Sequence, residues 1–132
     1  MTLLLDTHIW IWSVGSPDRI STRVRDALSN PENTLAISPV SVWEALLFAE
    51  KGRVGLAPDP WSWIRMALAT RPMREFPLTH NVALRSRSVR LPHDDPADRF
   101  IAATAMVHDL TLVTADRTLL ECPDIRVLPG AS

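Results

Sequence analysis

The chain has 132 residues, 46% of them apolar, and a formal net charge of −1. That size suits one domain with a buried core, and the near-neutral charge excludes a protein that coats nucleic acid by charge alone. No apolar stretch approaches the roughly 20 residues of a membrane span, Met1–Leu5 runs into Asp6 without a basic leader or cleavage site, and the single cysteine, Cys122, permits no internal disulfide, so a cytoplasmic, leaderless protein is expected.

Leu3-Leu4-Leu5 is a short apolar run of strand length that Asp6-Thr7 stops, and a helix is expected across His8 to Val14. After the Gly15–Asp18 turn, Ser21 to Leu28 reads as a helix, with Val24 and Leu28 on one face. Leu35-Ala36-Ile37 is the second strand. Ser38-Pro39 then reads as an N-cap with proline in the first helical position, opening a helix that runs to about Lys51 and ends at Gly52. Trp61 to Ala69 is a further helix, Arg74 to Phe76 a short strand, and Thr79 caps a helix reaching about Arg90. Asp95-Pro96-Ala97-Asp98 opens a long helix to about His108. Leu110 to Val113 is the next strand, Asp116 to Leu120 a short helix and Ile125 to Leu128 the last strand, with a frayed tail from Pro129 onward. Short apolar strands alternating with helices predict an α/β domain, a parallel sheet covered on both faces, over residues 1–129 with a short tail at 130–132.

Four acids fall where acids are awkward. Asp6 and Asp116 follow predicted strands, Asp98 lies in the first turn of a helix, and Glu44 lies in a helical seam with Val40, Trp43 and Leu47. Each has an ordinary reading as well. Asp6 and Asp116 suit helix N-caps, Asp95 and Asp98 suit a capping box, and Ser41 and Glu44 suit another that would start its helix three residues later. In an open α/β sheet the active site lies beyond the carboxyl ends of the strands, where these acids are expected together. Clustered carboxylates repel and lose hydration unless a cation joins them, and an all-oxygen set suits Mg²⁺ or Mn²⁺ better than zinc. His8 is read as a packing or capping residue, and His80, His93 and His108 show no ligand spacing. Serine nucleophile elbows and glycine-rich phosphate loops are absent.

Lys51 is the only lysine, so nearly all positive charge is arginine, with Arg71, Arg74, Arg85, Arg87, Arg90 and Arg99 forming a local excess. Five tryptophans include two pairs spaced two apart, Trp10/Trp12 and Trp61/Trp63, which cannot both face a core squarely. One of each pair is expected in the core and the other over a loop, or else the tryptophans form an apolar partner groove.

Four segments taken together, Leu4-Leu5-Asp6-Thr7-His8, Ser41-Val42-Trp43-Glu44-Ala45, the run from Asp95 to Ala105 (DPADRFIAATA) and Leu112-Val113-Thr114-Ala115-Asp116-Arg117, resemble the PIN-domain ribonucleases, specifically the VapC-type toxins of bacterial toxin–antitoxin pairs. The resemblance spans nearly the whole chain, and DPADRFIAATA is its most specific part. It implies a single PIN-like domain with a five-stranded parallel sheet in the order 3-2-1-4-5, flanked by helices. It implies Asp6, Glu44, Asp98 and Asp116 as catalytic metal ligands for one or two Mg²⁺ or Mn²⁺ ions, with Asp6 as bridging ligand, Thr7 and Thr114 as supporting residues and Asp95 as a cap only. The implied activity is metal-dependent endoribonuclease action as a toxin; the implied partners are RNA, a cognate antitoxin and a second copy of the chain. Phe48 stands where some members carry a lysine, so Arg99 or Lys51 is expected to contact substrate, and Trp10, Trp12, Trp43, Trp61 and Trp63 to line the antitoxin groove. The alternatives are a catalytically silent PIN-fold binding module and a receiver-like phospho-signalling module; the latter lacks the lysine it needs after the last strand.

Overall fold

The computed structural model describes residues 1–131. Five parallel strands, β1 (Thr2–Leu5), β2 (Thr34–Ile37), β3 (Arg74–Glu75), β4 (Thr111–Thr114) and β5 (Arg126–Pro129), form one sheet in the order β3-β2-β1-β4-β5. The helices are α1 (Thr7–Gly15), α2 (Thr22–Ser29), α3 (Pro39–Glu50), α4 (Pro60–Thr70), α5 (His80–Ser86), α6 (Pro96–His108) and α7 (Arg117–Leu120). The class and strand order are those expected, and among the described residues no helix is long and apolar enough to cross a membrane.

The central strands β1, β2 and β4 are largely apolar because both sheet faces are covered there, whereas the edge strand β3 is charged and exposed. Leu3 and Leu5 of β1, Leu35 and Ile37 of β2 and Val113 of β4 join one core with Ile9, Trp10 and Trp63. Leu4, Ala36 and Leu112 point the other way, into a second core with Val40, Ile101 and Ala102. This alternation follows from the two-residue period of a strand. Each fully buried leucine of β1 contributes about 1.5–3 kcal/mol, and Leu3, Leu4 and Leu5 are all fully buried. The central strand is therefore firmly fixed, and with it the residue that follows, Asp6.

Two expectations need correction. The helix capped by Thr79 stops at Ser86 and continues only as turns toward Arg90. The cause is Arg99, whose guanidinium donates to the carbonyl oxygens of Ser86 (2.8 Å), Val89 (2.9 Å) and His93 (2.9 Å). The segment expected to fray is tied down as far as Ala131. Gly130 donates to the Thr114 carbonyl (2.9 Å) and accepts from the Ser21 amide (3.0 Å), and Ala131 bridges Ile20. Gly130 packs so closely on Ile9 that a Cβ there would collide with it. Ser132 lies outside the described residues.

Candidate metal and nuclease site

The sheet changes direction of winding beside β1. After β1 the chain adds β2 and β3 on one side, then crosses to place β4 on the other. That switch leaves a crevice at the carboxyl ends of β1 and β4, and Asp6 and Asp116 lie there. Asp6 caps α1, its Oδ1 accepting the Thr7 amide (2.8 Å) and its Oδ2 the Thr114 hydroxyl (2.7 Å). The Thr114 hydroxyl also accepts the Asp116 amide (3.0 Å), so one side chain ties the two acids together. Asp116 caps α7 through Oδ1 alone, which accepts the Thr118 amide (2.8 Å), the Leu119 amide (3.2 Å) and the Thr118 hydroxyl (2.6 Å).

Ser38, not Ser41, caps α3, by accepting the Val40 amide (3.1 Å). The helix therefore starts at Pro39, and Glu44 falls in its buried seam. Its carboxylate accepts a hydrogen bond from the Thr7 hydroxyl, which lies 3.0 Å from the Ser41 hydroxyl as well. Asp95 caps α6 through Oδ1, accepting the amides of Ala97 (3.0 Å) and Asp98 (3.4 Å). The rest of the proposed capping box does not form: Asp95 donates its own amide to His93 Nδ1 (3.2 Å), and the Asp98 carboxylate lies 3.4 Å from His93 Nε2.

Asp6, Glu44, Asp95, Asp98 and Asp116 line one cleft of about 380 Å³. Glu44, Asp95 and Asp98 offer oxygens that all lie within 4.8 Å of one another. Burial pushes Asp98 up to about 8, helped by the charges of Asp6, Asp95, Asp116 and Glu44. Glu44 is pushed up to about 7, again mainly by burial, against the Thr7 hydrogen bond. Asp6 is also raised by burial, despite its bonds from Thr114 and Thr7. Asp116 is the exception: burial acts to raise it, but the bonds from Thr118 and Leu119 outweigh that and hold it below the ordinary range. Among the described residues no lysine or arginine pairs with Asp6, Glu44 or Asp98. Carboxylates so placed, with all-oxygen donors and no lysine or arginine paired to Asp6, Glu44 or Asp98 among the described residues, fit a hard divalent cation.

Two neighbours of this cluster escape the sequence reading. Asp95 is both a cap and a lining residue of the cleft, since a cap occupies only one of its oxygens. His93, which shows no ligand spacing in the sequence, arrives on the loop before α6. Because its Nδ1 accepts a backbone N–H, its proton in the neutral ring is on Nε2, facing the Thr118 hydroxyl (3.1 Å) and Asp98. The Asp95-Pro96 cap signal was the only local clue to this loop's importance.

The expected substrate contact from Arg99 is corrected. It is 7% exposed and spends its donors on the three carbonyls at the end of α5. Arg99→Ala should destabilise the protein by about 3 kcal/mol or more, read by urea unfolding; a loss below about 0.5 kcal/mol would show that water replaces the guanidinium at no cost. Lys51 is exposed at the carboxyl end of α3 and does not line the cleft. The tryptophans separate as well. Trp10 and Trp63 are core residues, packed edge to face at 5.7 Å, and so cannot line a partner groove. Trp12 is half-buried in the acidic cleft, while Trp43 and Trp61 are 51% and 67% exposed. Trp43 lines a separate apolar groove with Val40, Leu78, Ala97 and Phe100.

The PIN domain family model matches residues 3–124. The chain is 36% identical over 121 residues to Ribonuclease VapC22 of Mycobacterium tuberculosis (strain ATCC 25618 / H37Rv), covering 89% of each. Its fold is similar to a chain of VapBC2 from Rickettsia felis bound to a promoter DNA fragment (TM-score 0.76, 18% identity, 98% of each chain). It is also similar to a chain of FitAcB from Neisseria gonorrhoeae (TM-score 0.69, 25% identity, 96% of each chain).

Proposed function

Since the chain belongs to the PIN domain family, we propose that it is a divalent-metal-dependent endoribonuclease and the toxin of a toxin–antitoxin pair, hydrolysing RNA phosphodiesters in the cytoplasm. The observation that carries this reading is the cleft that gathers Asp6, Glu44, Asp95, Asp98 and Asp116, with no lysine or arginine among the described residues paired to Asp6, Glu44 or Asp98. The likeness to a curated ribonuclease supports it.

Asp6, Glu44, Asp98 and Asp116 would hold Mg²⁺ or Mn²⁺, with Asp95 adding an oxygen beside Glu44 and Asp98. When bound, such a cation supplies an acidified water and neutralises charge on the phosphate. The chain's own residues prepare the place. Thr114 fixes Asp6 and Asp116 relative to each other, Thr7 orients Glu44, and His93 faces Asp98 and the Thr118 hydroxyl that holds Asp116. Unneutralised, five carboxylates would repel a polyanion, so these residues favour RNA only when their charge is offset.

Cleavage of a structured RNA in Mg²⁺, but not in EDTA, is the direct test; full activity in EDTA would sink the metal-dependent reading. Thr114→Val keeps the volume but unties Asp6 from Asp116. It should weaken Mn²⁺ binding and cleavage roughly 10- to 100-fold, measured by calorimetric titration beside a cleavage assay, and unchanged values would remove Thr114 from the machinery.

Antitoxin binding and self-association are proposed for the exposed apolar surface rather than for all five tryptophans. The likeness to chains from VapBC and FitAcB complexes supports a protein partner, and Trp43 and Trp61 are the tryptophans with area to contribute.

A further inference from the structure

The acids line only part of the cleft. His8, Trp12, Phe48, Arg53 and Ala115 line the rest. The His8 and Phe48 rings stack at 4.9 Å and 28°, and His8 meets Trp12 at 5.6 Å. The Arg53 guanidinium lies 6.0 Å from the Phe48 ring centre, and that of Arg19 lies 4.3 Å from Trp12. These residues are not core: His8, Trp12 and Phe48 remain half-buried, unlike Trp10 and Trp63. Arg53 is exposed, makes no ion pair among the described residues, and is the one arginine or lysine lining the cleft. Gly52, with φ of 71°, turns the chain at the end of α3 just before Arg53.

Flat rings beside an unpaired guanidinium match the alternating chemistry of single-stranded nucleic acid, a π-face followed by a phosphate. Resting on the ribonuclease reading, we propose that His8, Trp12 and Phe48, with Arg53 beside Phe48 and Arg19 beside Trp12, form a subsite for one unpaired nucleotide next to the scissile phosphate. The base stacks on the aromatic wall, and Arg53 holds an adjacent phosphate. Duplex RNA keeps its bases stacked within the helix and cannot use this wall. Arg53 thereby supplies the cation that Phe48 cannot, and the preference for single strands belongs to the wall rather than to the acids.

The test uses the full chain, a labelled unpaired RNA oligonucleotide of mixed sequence, and a blunt RNA duplex of equal length. Binding is measured in Ca²⁺ and cleavage in Mn²⁺. Arg53→Gln and Phe48→Leu are compared with the wild type; both keep bulk, and Phe48→Leu keeps an apolar side chain against the core. Each should weaken single-strand binding and raise KM roughly tenfold or more, with Mn²⁺ affinity unchanged. Arg53→Gln should also lower the slope of log affinity against log salt by about 0.7, the signature of one lost phosphate contact on a single strand, while Phe48→Leu leaves that slope alone. Wild-type KM and slope in both variants, with cleavage intact, would overturn the subsite and leave the ribonuclease reading standing. Unchanged RNA binding with a tenfold loss of affinity for a co-purified antitoxin would assign the wall to protein docking and equally overturn it. Wall-dependent binding without any cleavage by the wild type would sink the ribonuclease reading but keep the subsite.

Discussion

Asp98→Asn is expected to lower metal-dependent RNA cleavage by more than about 100-fold, beyond the loss typical for a residue that only supports a ligand, while making the metal-free protein more stable than the wild type at pH 9. The two effects have one origin. Asp98 faces the charges of Asp6, Asp95, Asp116 and Glu44 in a largely buried place, and its carboxyl is pushed up to about 8 from an ordinary 3.8. Between those values the folded protein holds a proton that the unfolded chain has released. Stability from this group is therefore full at acid pH, declines as pH rises through the window, and is lost above about 8. Asparagine has the same shape and no charge to ionise, so the variant escapes that loss. Urea unfolding in EDTA at pH 5 and pH 9, beside a cleavage assay in Mn²⁺, checks both halves. A variant that cleaves like the wild type, or that is less stable at pH 9, would remove Asp98 from the cation site.

The second expected result is a metal stabilisation that depends steeply on pH. Glu44 and Asp98 must give up protons to bind a cation, and their carboxyls are raised to about 7 and about 8, with Asp6 raised as well. At pH 5 protons compete with Mn²⁺ for Glu44 and Asp98; at pH 9 their vacated charges repel each other until Mn²⁺ joins them. At a hundredfold excess over its Kd, a ligand adds about 2.7 kcal/mol, or roughly 10 °C in Tm for a domain of this size. That shift should appear at pH 9, shrink strongly at pH 5 and be largely lost in Asp98→Asn. An equal shift at both pH values would mean that the cation binds elsewhere on the surface.

Much of the site was legible because the signals that place it are local. The apolar run of β1 ends at Asp6, the proline after Ser38 sets the phase of α3, and that phase puts Glu44 in the seam. A capping reading and a ligand reading compete at Asp6, Asp98 and Asp116, and Asp95 reads as a cap only, yet a cap commits only one carboxylate oxygen. The structure shows cap bonds at Asp6, Asp95 and Asp116, on Oδ1 each time. Asp95 caps α6 through one oxygen and lines the cleft as well, which a cap-only reading overlooks.

What the chain determined by itself was the α/β class, the element sequence and the candidate acids, since hydrophobic period, caps and turn residues act over a few neighbours. Tertiary structure decided everything that depends on distant segments meeting. Arg99 looked available for substrate, but it is held by carbonyls six to thirteen residues away. Trp10 and Trp12 differ by two positions, yet one enters the core and the other the cleft, because a helix turns about 200° between them. Arg53 reaches the cleft, and His93 the Asp98 carboxylate, on loops, where no periodicity announces direction. The raised carboxyls are likewise collective, arising when packing withdraws water from acids that are dozens of residues apart and mutual repulsion adds to that loss.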